Sequence, residues 1–260
     1  MSQELQIAVE VAKKAGEIII SMKGKADIAE KGQNYNLVTE ADTAAEKVIF
    51  DALREQFPKD TFLGEESAAD ADLNASRLWI VDPLDGTTNF AHGIPHYAVS
   101  IAFAREGIVQ CGVICNPVSG ELFSAERGAG ATCNGRMISV SSAEKLSRAV
   151  IATGFYYERG PIMERTLDSL RLLYKANIRG MRRIGSAALD LCYVACGRFD
   201  AYFEYRLSPW DFAAGMLVVE EAGGIFTDSD GNNNGLLSKG VICSNGRLHT
   251  VFCDIVLGNT

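Results

Sequence analysis

Three apolar, partly alternating segments follow one another at 97–104, 107–115 and 120–125, with only turn residues between them. Alternation at a period of two marks strands, and short turns between such segments pair them antiparallel. Two helical patterns precede this run. Leu5, Ile7, Ala8, Val11, Ala12, Ala15, Ile18 and Ile19 recur at helical spacing and predict a helix over 3–22, stopped by Gly24. Thr39 is a candidate N-cap for a second helix through Phe57, with Asp42 in its first turn and Pro58 closing it. Between them, 27–38 predicts a short strand or hairpin whose tip is Lys31-Gly32-Gln33-Asn34. Short strands are also expected at 61–63 and 77–81. After the antiparallel run the rhythm changes. Strands expected at 149–153, 178–182, 201–205 and 241–244 are interspersed with helices at 161–175, 186–196, 210–222 and 246–257. Helices, an antiparallel run, then mixed elements argue for an α+β fold, a layered αβαβα sandwich, rather than a doubly wound parallel sheet. No linker or repeat divides the 260 residues, so one domain over 1–260 is expected, with two packed halves of approximately 1–145 and 146–260.

Charge narrows the partners. Twenty-five Lys and Arg against 33 Asp and Glu give a net charge of −8, so no nucleic-acid partner is expected and no membrane-binding surface. No apolar stretch approaches the roughly 20 residues of a membrane span. The start, Met1-Ser2-Gln3-Glu4, lacks the basic and apolar regions of a signal peptide, so a cytoplasmic protein is expected. The seven cysteines contain no C-x-x-C pair and read as reduced, mostly buried thiols. The three histidines show no nucleophile–base spacing.

The chemistry concentrates where an apolar strand ends. Trp79-Ile80-Val81 runs into Asp82-Pro83-Leu84-Asp85-Gly86-Thr87-Thr88-Asn89. Asp85-Gly86 alone reads as an ordinary turn. Two carboxylates three residues apart can also converge on a cation, and N–H groups after Gly86 can meet a phosphate at a helix start. Further acidic residues stand where strands end or helices begin: Glu65 in Gly64-Glu65-Glu66-Ser67, Glu204, Asp211 in Pro209-Trp210-Asp211-Phe212-Ala213-Ala214-Gly215, and Asp42. Singly, each reads as a helix-start or loop charge. Together they form an oxygen-only donor set without His or Cys, which favours Mg²⁺ over zinc. A pair of such ions can clamp the attacking and leaving oxygens of a phosphoryl transfer.

The Asp82–Asn89 and Trp210–Gly215 stretches, with Glu220-Glu221-Ala222-Gly223-Gly224 closing the second, resemble the two motifs of the inositol monophosphatase family. Gly64-Glu65-Glu66-Ser67 resembles its upstream acidic motif, and Gly185-Ser186-Ala187-Ala188-Leu189-Asp190-Leu191 a helix start of its bacterial members. The resemblance runs in order over nearly the whole chain. It implies Mg²⁺-dependent hydrolysis of a phosphate monoester, commonly inhibited by Li⁺, by a homodimer using two to three metals per site. Carried over by position, Glu65, Asp82 and the Leu84 carbonyl would hold one metal, and Asp82, Asp85 and Asp211 a second. Glu65 and Thr87, with Asp42 behind Thr87, would orient the attacking water. Gly86 and Thr87 would bind phosphate, Asp85 would also face the substrate, and Ala187, Glu204 and Asp211 would face polyol hydroxyls. Lys31 matches a lysine on the family's mobile loop.

The expected substrate is myo-inositol monophosphate. Fructose 1,6-bisphosphate, 3′-phosphoadenosine nucleotides, NADP and histidinol phosphate are the alternatives, and Arg179, Arg182 and Arg183 could serve a second phosphate. The contrasting class is a regulatory or interaction protein on the same fold.

Overall fold

A computed structural model describes residues 1–24, 28–30, 37–67 and 70–258. Strand alternation decides its layers. In β4 (Leu78–Asp85), Leu78 and Ile80 face one way while Trp79 and Val81 face the other. In β5 (Ala98–Arg105), Ala98, Ala102 and Ala104 face inward while Val99, Ile101 and Phe103 face outward. Both faces are apolar, so this sheet must be covered on both sides. The outer face packs against α1 (Gln3–Met22) and α2 (Glu40–Gln56). The inner face packs against α5 (Ala187–Ala195) and α6 (Pro209–Glu221).

The seven-stranded sheet runs in the order β3 (Thr61–Gly64), β4, β5, β6 (Ile108–Asn116), β7 (Glu121–Glu126), β8 (Gly130–Cys133) and β9 (Arg136–Met137). Only the β3–β4 pairing is parallel. The second sheet has five strands. Its order is β11 (Gly180–Arg182), β10 (Val150–Thr153), β12 (Ala201–Glu204), β14 (Val241–Ser244) and β13 (Ile225–Asp228). Tyr202, Val241 and Cys243 turn toward α5 and α6; Ala201, Phe203 and Ile242 turn toward α4 (Pro161–Lys175) and α7 (His249–Val256). The layers are therefore helices, sheet, helices, sheet, helices, as expected.

α6 is buried between the two sheets, and Phe212 to Val219 are all inaccessible or nearly so. A helix apolar all round suits such a position. Each large side chain there contributes on the order of 1.5–3 kcal/mol by burial. The sheet approaches closely because β6 offers glycine. A Cβ on Gly112 would lie 2.9 Å from the Ala214 backbone.

Several details differ from the sequence expectations. β8, β9 and β13 were not anticipated; β8 opens on Gly130 and β13 directly follows the Gly223-Gly224 stop, so both lack a clean alternating run. The strand expected at 77–81 continues through Pro83 to Asp85. The last helix begins at His249 rather than 246. β1 (Ile28–Glu30) and β2 (Leu37–Thr39) pair antiparallel, as a hairpin requires. Its expected tip, with Lys31, lies outside the described residues. No described helix is long and apolar enough to cross a membrane.

Candidate active site

A β-bulge aims the central carboxylates. Asp82 pairs with Ser100 and Asp85 with Ala98, so three steps along β4 match two along β5. In a regular strand, residues three apart face opposite ways. The extra residue restores the phase, and Pro83, which has no N–H to give the ladder, occupies the irregular stretch. Asp82 and Asp85 consequently line the same cavity, of about 300 Å³, between the sheets.

The other elements converge on that cavity. Glu65, Leu84, Gly86, Thr87, Ala187, Glu204 and Asp211 all line it. Gly86 adopts φ +95°, and a Cβ there would meet the carbonyls of His96 and Gly185 at 3.1 and 3.2 Å, so only glycine suits this turn. It starts α3 (Thr87–Ala91). Thr87 Oγ1 lies 2.9 Å from Asp42 Oδ1 and 3.0 Å from the Leu84 carbonyl. Asp42 stands behind the cavity wall, fully buried on α2, and its Oδ2 accepts from Thr39 N at 2.7 Å and Thr39 Oγ1 at 2.6 Å. The Asp42 carboxylate thus caps α2 with one oxygen and meets Thr87 with the other.

Asp85 ties the halves together. Its Oδ2 accepts from Ser186 Oγ and from Ala188 N at 2.8 Å, at the start of α5. Asp82 Oδ1 accepts from Leu84 N at 2.9 Å, and Asp211 Oδ2 from Ser208 N at 2.6 Å at the start of α6. Glu204 ends β12, where Tyr202 Oη donates to its Oε2 at 2.6 Å. Gly154 leaves room for that carboxylate: a Cβ there would fall 1.8 Å from Glu204 Oε2.

The cavity is electrostatically unfavourable to its own side chains. Burial, then Glu65, Asp85 and Asp211, push the Asp82 carboxyl well above the usual range. Burial, Glu65 and Asp85 do the same to Asp211. Burial raises Asp85 to about 6 against the hydrogen bonds from Ser186 and Ala188. Burial raises Glu204 to about 7, opposed by Tyr202 and Arg183. A divalent cation would reverse this penalty, and an oxygen-only donor set suits a hard one. Among the described residues no three such side chains form a closed metal-holding group. The acceptor oxygens turn instead to the backbone and hydroxyl donors named above. The fit to a cation therefore rests on donor chemistry and charge.

Other residues at the site were not assigned from sequence. Asp190, Arg206, Tyr156 and Tyr157 also line the cavity. Glu46, buried one turn after Asp42, accepts from Glu66 N at 3.0 Å and so anchors the turn that carries Glu65. Its signal was its i, i+4 spacing from Asp42. Asn89, inside the motif, donates to the carbonyls of His96 and Ile184 at 2.7 and 2.9 Å and joins two cavity loops. Of the three arginines considered for a second phosphate, only Arg183 reaches the cavity. Arg182 donates to the Met181 carbonyl, and Arg179 lines a separate surface depression.

A sequence model described as the inositol monophosphatase family matches residues 1–258. The chain is 42% identical over 251 residues to a protein of Escherichia coli strain K12 named Nus factor SuhB, covering 95% of this chain and 93% of that one. The crystal structure of extragenic suppressor protein suhB from Bartonella henselae superposes with a TM-score of 0.92 at 43% identity, covering 98% of each chain. A Thermotoga maritima IMPase gives 0.90 at 36% identity, covering 98% of this chain and 97% of that one.

Proposed function

The chain belongs to the inositol monophosphatase family, and from that premise we propose that it hydrolyses a phosphate monoester with Mg²⁺, its substrate being myo-inositol monophosphate. The observation that carries the reading is the β4 bulge, which turns Asp82 and Asp85 to one cavity beside Glu65 and Asp211. Family members are Mg²⁺-dependent. Here Glu65, Asp82 and the Leu84 carbonyl would hold one ion, Asp82, Asp85 and Asp211 a second, with a third near Glu65. When bound, the ions supply Lewis acidity that makes water nucleophilic near neutral pH and offsets charge on the leaving oxygen.

The chain's own groups position and exclude. Donation from Thr87 Oγ1 to Asp42 leaves the hydroxyl's lone pairs to accept a hydrogen bond from the attacking water. Glu65 orients the same water from the end of the neighbouring strand β3. The N–H groups of Gly86 and Thr87 meet the phosphate oxygens. Glu204 and Asp211 accept from adjacent hydroxyls, and Ala187 packs on the ring. The name of the Thermotoga relative and the two carboxylates at the hydroxyl end support a polyol ester. Arg183, as the one arginine of its cluster at the cavity, gives fructose 1,6-bisphosphate and the nucleotide bisphosphates less support. As in the family, a homodimer is implied.

The names Nus factor SuhB and extragenic suppressor protein suhB favour a second reading, in which a protein of this fold acts as a regulatory partner. Four of the cavity carboxylates, Glu65, Asp82, Asp85 and Asp211, stand together here, which favours the enzyme.

The test is phosphate release from inositol 1-phosphate, fructose 1,6-bisphosphate, 3′-phosphoadenosine 5′-phosphate and NADP, with Mg²⁺ and with EDTA. Inositol 1-phosphate should have the highest kcat/KM, and EDTA should abolish turnover. Asp82→Asn should cost about a hundredfold to a thousandfold in kcat, the size seen when a central electrostatic group is removed. Turnover indifferent to EDTA, or near-normal kcat in Asp82→Asn at saturating Mg²⁺, would overturn the reading.

A further inference from the structure

α5 brings one more acidic side chain to the cavity, and the roles assigned above do not use it. Asp190 lies one turn after Ala187, lines the cavity and is 1% exposed. Its Oδ1 is buried and accepts no hydrogen bond from any described residue. The other buried carboxylates at the site are anchored: Asp42 by Thr39 and Thr87, Asp82 by Leu84 N, Asp85 by Ser186 and Ala188 N, Glu204 by Tyr202. Asp190 is the exception. A buried acceptor without a donor destabilises the fold that carries it. Its retention makes sense if a ligand brings the donor.

The surroundings restrict what that donor can be. The charged groups that act on Asp190 are Asp85, Glu204 and Arg183. Two of the three are carboxylates, so a phosphate oxygen would be repelled from this end of the cavity. Phosphate belongs instead at the Gly86–Thr87 end. What suits a pair of carboxylates, one on α5 and one at the end of β12, is a neutral group that donates: a hydroxyl. Adjacent hydroxyls on one ring would satisfy both carboxylates at once.

We propose that Asp190 is a specificity-determining residue, which accepts a hydrogen bond from a hydroxyl of the substrate and forms with Glu204 a subsite for neighbouring hydroxyls of a polyol. This inference rests on the reading of the cavity as a polyol-phosphate site. It concerns the alcohol portion alone, and that allows a test separate from turnover.

The experiment compares wild type, Asp190→Asn and Asp190→Ala. Hydrolysis is measured on inositol 1-phosphate and on cyclohexyl phosphate, which presents a similar ring without hydroxyls. Binding of myo-inositol itself, in the presence of Mg²⁺ and phosphate, is followed by ligand-observed NMR, and thermal melts report the fold. A site built to hydrogen-bond a hydroxyl discriminates strongly against a ligand lacking it. Asp190→Ala should therefore lose about tenfold or more in kcat/KM on inositol 1-phosphate, mainly through KM, while cyclohexyl phosphate changes by less than about twofold. Asp190→Asn, which keeps an acceptor oxygen, should fall between. Inositol binding should weaken in parallel, and neither variant should melt below wild type, because an orphan buried carboxyl has been removed.

Equal losses on both esters, no loss on either, or a lowered Tm would make Asp190 a structural residue and overturn the proposal. A preference for an aminoalkyl phosphate over a polyol phosphate that disappears in Asp190→Ala would also overturn it. So would wild-type protein that does not bind inositol. Inositol binding that depends on Asp190 in a protein that hydrolyses neither ester would leave the subsite standing and remove the phosphatase reading.

Discussion

Thr87 has one hydroxyl proton and two acceptors within reach, Asp42 Oδ1 and the Leu84 carbonyl. Charge-assisted hydrogen bonds are the stronger kind, so the hydroxyl donates to the carboxylate and Leu84 O is left for other uses. Such choices, one proton at a time, set the chemistry of the cavity. His96 makes a complementary point. Its buried ring packs edge-on against Tyr193, and burial lowers its pKa from 6.5 to about 4. Between those values the unfolded chain holds a proton that the folded chain does not. His96 therefore leaves stability intact above about 6.5 and removes it as pH falls toward 4. Relative to His96→Phe, wild type should lose on the order of 1 kcal/mol per pH unit in that window. Urea unfolding at pH 7.5 and 5.5 checks this; parallel losses in both proteins would refute it. The motif carboxylates were legible as a group, because several stand at strand ends and helix starts within stretches that resemble the family motifs. Asp190 was not, and Glu46 showed only its i, i+4 spacing from Asp42. Inside a helical pattern a carboxyl reads as a solvated charge, and only the packed layers reveal that it is buried.

At the scale of elements, the apolar alternation located most strands and the 3.6-residue period the principal helices, since both faces of each sheet are covered and every strand must keep its phase. The bulge in β4 escaped notice. Sequence displays Pro83 as an interruption, whereas register across to β5 is a property of two strands. The short β13 likewise needed its partner β14, whose Ile242 faces Thr227. Glycine placement is the other element-level control. Gly154, just after β10, gives Glu204 its space, and the nearest obstacle to a Cβ is the end of a movable side chain. Gly154→Ala should therefore displace the carboxylate rather than break the fold. We expect KM for inositol 1-phosphate to rise roughly tenfold, the equivalent of one charge-assisted hydrogen bond of about 1.4 kcal/mol, with little change in Tm. An unchanged KM would mean that Glu204 does not contact the substrate.

The whole molecule is two sheets sharing one buried layer of helices, with the site at their junction. Glu65, Asp82, Asp85 and Thr87 come from the first sheet and its connections; Ala187, Glu204 and Asp211 come from the second sheet and the shared helices. A cation there would link the halves and relieve the repulsion among carboxylates. Mg²⁺ at about one hundred times its Kd should add about 2.7 kcal/mol of stability, a rise of roughly 5–10 °C in Tm over EDTA. Asp82→Asn should shrink that difference, and superimposable melts with and without Mg²⁺ would count against metal binding at this site. The arrangement also has a consequence for biosynthesis. Asp82 and Asp85 leave the ribosome more than a hundred residues before Asp211, and β14, which completes the second sheet, follows later still. While the chain is being made, the first sheet lacks the helix that covers its inner face. Folding N-terminal first is the ordinary order of synthesis. Here it means that the cavity closes late, so a nascent chain presents its acidic strand end to solvent long before the carboxylates of the second half arrive to complete the cavity.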